Sequence, residues 1–218
     1  MQASPIIAMA IASIALFSSF SSIAAFKAID QHSSLYPNQL EAKPIVAYFD
    51  SVDKHNGYIQ KPVKDGFYRV LIGRNNQGHY LIQDFFQDNS QAQTQPYWVT
   101  SIEGLFQFGV EYIQGPITGY FKNGRVSFKT QMNNGKYIDP FESFYPTGQL
   151  ANRTLRLKNG EMVDQYFYID GKKALELKYA PNGERTQTQV WHSNGQSLDE
   201  NQAEMIEEEI LEAIRFDR

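Results

Sequence analysis

Residues 120–124 read Tyr-Phe-Lys-Asn-Gly, 144–148 Phe-Tyr-Pro-Thr-Gly, 167–171 Phe-Tyr-Ile-Asp-Gly and 191–195 Trp-His-Ser-Asn-Gly. Each quintet ends on a glycine, and Gly124, Gly148, Gly171 and Gly195 lie 24, 23 and 24 residues apart. A second series, Gly135, Gly160 and Gly183, falls between them at spacings of 25 and 23. Merged, the seven glycines recur every 11–13 residues, room for one strand and one turn each. Asn-Gly and Asp-Gly are strong hairpin signals, because a two-residue type I′ turn needs positive φ at both central positions. The unit is therefore two strands and two turns. Repeated, it predicts an antiparallel meander in which each hairpin stacks on the next.

The segments between the glycines carry a period of two. Apolar positions alternate in Val126-Ser127-Phe128-Lys129-Thr130-Gln131-Met132, in Leu155-Arg156-Leu157 and in Leu175-Glu176-Leu177-Lys178-Tyr179. Such a sheet is apolar on one face and must fold over itself or be covered. Two aromatic columns run through the quintets, and adjacent residues of a strand point to opposite faces. The column Tyr120, Phe144, Phe167, Trp191 is the more apolar and is expected to face the core. The column Phe121, Tyr145, Tyr168, His192 has more polar tips and is expected nearer solvent. There it would offer a rigid contact platform for a partner. The plainer expectation is that both columns only brace the sheet through cross-strand contacts.

The pattern aromatic-aromatic-x-x-Gly, then a strand, then x-Asn-Gly, resembles the variant MORN repeats of the YwqK-type antitoxin-like family. The likeness covers about residues 115–198. It implies an array of β-hairpins and, through the antitoxin label, a protein-binding role.

Residues 44–114 also read as β. Ile45 to Phe49, Phe67 to Ile72 and His79 to Phe86 are strand candidates, the latter two joined by the turn Arg74-Asn75-Asn76-Gln77-Gly78. Tyr97 to Thr100 and Leu105 to Tyr112 extend the series, and Asp88 to Gln95 is a polar loop. Gly78 and Gly104 are candidate outliers of the glycine series. With no clear linker before the repeats, one continuous twisted sheet is the expected architecture.

The tail, residues 199–218, predicts an amphipathic helix. Ile206, Ile210 and Ile214 recur every fourth residue, with Met205 and Ala213 beside them and Glu207, Glu208, Glu209 and Glu212 on other faces. Ser197-Leu198-Asp199-Glu200 is a candidate capping box. The helix is expected to cover the sheet's last edge or its apolar face. The alternative is an acidic docking helix.

At the other end, residues 1–26 hold no charged side chain, and Ile6 to Phe20 is apolar and diluted by Ser and Ala. With Ser22-Ile23-Ala24 before the cut, residues 1–24 read as a secretory signal peptide. An uncleaved anchor over residues 5–26 is the rival, since that length would cross a bilayer. Residues 25–43 read as a polar linker. The expected address is periplasmic or secreted.

Composition and motifs bound the chemistry. Among 218 residues there is no Cys, which excludes disulfides, thiolate metal sites and a cysteine nucleophile. Lys and Arg number 20 against 24 Asp and Glu, a net charge of −4, which argues against nucleic acid. No phosphate loop, nucleophile elbow, dinucleotide fingerprint or His-based zinc motif is present. His32, His55, His79 and His192 are scattered without ligand spacing, so neither metal nor cofactor is expected. Asp84 with His79, and Asp139 with Glu142, are the only acid–base or paired-carboxylate arrangements the sequence suggests, and neither is a motif. The expected function is non-catalytic: binding a protein or cell-envelope partner, in antitoxin- or immunity-like fashion. The alternatives are a self-associating envelope scaffold and a hydrolase with a motif-free acid site.

Overall fold

The structure, a computed structural model, describes residues 43–50, 57–107 and 109–215. The expected signal peptide or anchor, and all of the linker but Lys43, lie outside the described residues. Twelve strands follow one another: β1 (Ile45–Phe49), β2 (Phe67–Arg74), β3 (Tyr80–Phe86), β4 (Tyr97–Val99), β5 (Ile113–Tyr120) and β6 (Val126–Asn133). Then come β7 (Lys136–Phe144), β8 (Leu150–Arg156), β9 (Met162–Phe167), β10 (Lys173–Tyr179), β11 (Arg185–Trp191) and β12 (Ser197–Leu198). Their order in the sheet is their order in the chain, and the first and last do not pair. The fold is mainly β, an open antiparallel meander of hairpins closed off by one C-terminal helix, α1 (Ala203–Ala213).

The turns are where the local expectation needs correcting. All seven repeat glycines do sit at positive φ. Only Asn134-Gly135 is a two-residue type I′ turn, with φ of 47° and 73° and Asn133 paired directly with Lys136. The others are longer. In the Gly124 turn, the Gly124 amide donates to the Phe121 carbonyl, and the Phe121 amide donates to Arg125 two positions past the asparagine. That is a turn followed by one left-handed glycine, which forms a bulge, so only the glycine needs positive φ. The preceding Asn or Asp serves differently. Its side chain accepts from the amide two residues on, as Asn123 does from Arg125, Asp170 from Lys172 and Asn194 from Gln196. The Gly78 turn has the same geometry, with Gly78 donating to Asn75 and Asn75 to His79. Gly104 does not belong to the series. It lies buried in a 3₁₀ turn, Glu103–Leu105, where an added Cβ would come within 2.8 Å of the Tyr112 Cβ.

Register assigns the faces. Thr118, Lys129, Glu142, Arg153, Gln165, Glu176 and Gln189 are successive cross-strand partners and form the solvent-side ladder. Ser143, Asn152, Tyr166, Leu175 and Val190 form the parallel ladder on the core side, and all are buried. The core side is covered in the repeat half by α1, whose Ala203, Ile206, Ile210 and Leu211 join Ala151, Tyr166, Leu175, Leu177 and Val190. Met205 is 60% exposed, so the apolar stripe follows the i, i+3/i+4 rows and leaves Met205 outside. A second cluster (Tyr80, Ile82, Tyr97, Val99, Leu105, Ile113, Ile117, Met132) fills the N-terminal half.

Leu105 to Tyr112 is not a strand. It holds two 3₁₀ turns, Glu103–Leu105 and Val110–Tyr112. The cause sits on β2. Arg69 is fully buried, and its Nη1 donates to the carbonyls of Gly104 (2.6 Å) and Gln107 (2.8 Å). The same guanidinium grips Asp84 at 2.7 and 2.8 Å and donates to the Tyr97 hydroxyl, which itself donates to Asp84. Carbonyls turned toward Arg69 are lost to a ladder, so the loop winds over the network instead of pairing. Burial works against the Arg69 charge, but the adjacent Asp84 carboxylate and the Tyr97 hydroxyl together outweigh it and hold the guanidinium ionised.

Candidate partner-binding edge

The four expected contact residues do not form a surface. Phe121 and Tyr145 are buried, Tyr168 is half-buried against the α1 core, and only His192 is exposed. Phe121 and Tyr145 therefore point inward and Tyr168 partly so, against the sequence expectation, while His192 is exposed as expected. The physical reason is that each tyrosine tip is satisfied inside the sheet. The Tyr145 hydroxyl donates to the Phe167 carbonyl at 2.8 Å, and Tyr168 donates to Trp191 at 2.9 Å, each reaching one repeat onward. The other column, Tyr120, Phe144, Phe167 and Trp191, lies half-buried on the solvent side. There Lys129 sits over Phe144 and Lys173 over Trp191, each 5.6 Å from the ring centroid.

The paired-acid candidates are engaged or outside view. Asp84 is held by Arg69 rather than facing His79. Glu142 is paired with Arg153 at 2.7 Å, and the Asp139 side chain lies outside the described ones. Among the described residues, no group of three or more His, Asp or Glu is placed to hold a metal ion. No helix among them is long and apolar enough to cross a membrane.

A different feature stands out at the C-terminal end. β11 pairs with β10 along its length, but on its other side β12 takes up only Val190 and Trp191. The sequence stops β12 short. Asp199 accepts from the Asn201 amide at 2.9 Å and caps the 3₁₀ turn Glu200–Gln202, which swings the chain off the edge toward α1. Asp199, not Ser197, is thus the cap, and Ser197 is a strand residue. Between Arg185 and Gln189 the edge has no neighbouring strand among the described residues. Val190 faces β12 with its main chain, so alternation turns the Thr188 amide and carbonyl to the open side. The opposite edge of the sheet is blunted. Ile59 bridges to Tyr48 of β1, its amide donating at 2.7 Å.

A groove of about 390 Å³ lies along this open stretch. One side is the strand, Arg185, Thr186, Gln187 and Thr188; the other is Glu200, Asn201, Ala203 and Glu204. Ala203 is the one apolar side chain in the lining, whereas small-molecule pockets are lined mostly by apolar and aromatic groups. Hydroxyls, amides and carboxylates beside an unpaired main chain suit a peptide better. The sequence offered one clue. Thr188, the residue before the pair Gln189-Val190, is a threonine on the core side, and Thr186 sits unpaired at a bulge, so the first apolar inward residue is Val190.

Just beneath α1, Glu207 is buried and accepts a hydrogen bond from the Tyr166 hydroxyl. Burial pushes its carboxyl above the usual range, the Tyr166 bond opposes this, and the fully buried Asp164 of β9 adds to it. This acid was expected on an outer face of the helix. No family model matches the chain, and no curated protein matches it.

Proposed function

We propose that this is a non-catalytic, exported β-repeat protein that binds a protein partner in the cell envelope, in the manner of an antitoxin or immunity protein. The observation that carries the reading is the unpaired stretch of β11 beside a polar groove. An open edge is a liability unless blunted or used, and adding a strand to it is a recurrent way to bind a peptide. The charge-free leader supports export, and the resemblance to antitoxin-like hairpin repeats supports a protein partner. The same open edge would also let two copies pair, the self-associating alternative.

The test is site-specific photo-crosslinking in the native host. A photoreactive residue replaces Gln187 on the edge or, as a control, Lys158 in the exposed turn between β8 and β9. A discrete heterologous adduct from Gln187 and none from Lys158, its mass mapping to an envelope protein, is the expected result. An adduct only with a second copy supports the scaffold alternative. Equal, diffuse adducts from both positions contradict an edge-based binding role.

A further inference from the structure

We infer that the occupant of the β11 edge is an extended, basic segment of its partner, which adds as a thirteenth strand and directs a lysine or arginine into the groove between Glu200 and Glu204. The inference rests on the reading above and narrows it to a partner chemistry. The open stretch Arg185–Gln189 is five residues with a bulge at Thr186, so the segment it accepts is at most about five or six residues long. Alternate side chains of an added strand point to the core side of the sheet. The groove lies there, bordered by Thr188 and by Arg185, Thr186 and Gln187 around the bulge in β11.

Charge decides which side chain enters. Glu200 and Glu204 are both exposed on the helical wall, and Glu208, Glu209 and Glu212 continue the acidic surface along α1. The one cation in the lining is Arg185. It lies at the far end of the open strand, near enough to Tyr179 and the buried Glu207 for its charge to act on both. An acidic incoming strand would meet like charge along the whole helical wall. A basic one meets complementary charge, which raises the association rate and fixes the register. Among the described residues, neither Glu200 nor Glu204 is engaged in a salt bridge.

The experiment is fluorescence anisotropy on the full chain with labelled hexapeptides. One peptide alternates Lys and Val, a second has Glu in place of Lys, and a third is the Lys peptide N-methylated at alternate residues. The Lys peptide is expected to bind, the Glu peptide not to bind, and the N-methylated peptide to fail because it cannot complete the ladder. Replacing both acids (Glu200→Gln with Glu204→Gln) should weaken the Lys peptide about three- to tenfold, the sum of two exposed ion pairs. These positions are exposed, and unchanged circular dichroism shows that the variant is folded. If Lys and Glu peptides bind alike and N-methylation abolishes both, strand addition stands and the basic occupant is overturned. If no peptide binds, the inference is overturned, while the crosslink from Gln187 decides the broader reading by itself.

Discussion

Replacing Arg69 with methionine removes the centre of the N-terminal core while keeping most of its volume. In the native chain the guanidinium makes two bonds to Asp84 at 2.7 and 2.8 Å, one to Tyr97, and two to the carbonyls of Gly104 and Gln107. Both members of the ion pair are 1% exposed at the side chain. Removing one partner of such a pair costs about 3–5 kcal/mol, because the other charge stays buried. The two carbonyls left without a donor add to this, at about 1–3 kcal/mol for each that water cannot reach. We therefore expect a loss of about 4 kcal/mol or more, a large part of the 5–15 kcal/mol typical of a folded domain. The two tryptophans report the halves separately, Trp98 on β4 and Trp191 on β11. Urea titrations of Arg69→Met, each in a background keeping one tryptophan as Phe, should move the Trp98 transition much more than the Trp191 transition. Removing both charges (Arg69→Met with Asp84→Leu) should recover the part due to the stranded carboxylate and leave the part due to the two carbonyls. A single-variant loss below about 1 kcal/mol would refute the reasoning, since it would mean that Asp84 carries no charge to strand.

Three further outcomes follow from other parts of the fold. Gly171 has φ of 84° with no atom near an added Cβ, so Gly171→Val meets only backbone strain, and the melting temperature should fall by about 2–8 °C; an unchanged midpoint contradicts the turn. Glu207 has its folded-state pKa raised by burial, so its contribution to stability is full below the unfolded carboxylate pKa and is lost as pH rises through the folded one. Glu207→Gln should then lose less stability than the native chain between about pH 4.5 and neutrality, measured by urea midpoints; parallel profiles contradict a titrating buried acid. Tyr145→Phe removes the bond to the Phe167 carbonyl and should cost about 1 kcal/mol in the same assay; no change would mean that the phenol tip is solvated rather than bonded across the repeat.

Much of the fold was legible because it is written in local, repeated signals. Glycine spacing, alternation and the Asn-Gly and Asp-Gly pairs specify hairpins without reference to distant residues, and each strand pairs with the strands next to it in the chain. The turn type was less legible, since Asn123 and Asn134 look alike in sequence. Asn134 adopts positive φ, while Asn123 accepts a hydrogen bond from the amide two residues on. The choice of face failed for a tertiary reason. A tyrosine is half apolar, so its hydroxyl says nothing about exposure once a carbonyl of the next repeat meets it, as with Tyr145 and Tyr168. The Arg69–Asp84 pair was out of reach, because no spacing marks two residues fifteen apart as partners until β2 and β3 are in register. The candidate edge was hidden likewise. It exists because Asp199 caps a turn after two residues of β12, and a sequence does not display the strand that is missing.

The central claim is that the main chain of β11 is the contact surface, and amide hydrogen exchange reads it residue by residue. The Thr188 amide faces the open side and should exchange fast in the free protein. The Gln189 amide, turned toward β10, should exchange slowly. Adding the Lys-Val peptide, or the partner once crosslinked and identified, should slow Thr188 selectively and leave the turns at Gly148 and Gly171 unchanged. Protection confined to those turns or to the solvent-side ladder, with Thr188 unaffected, would contradict the account.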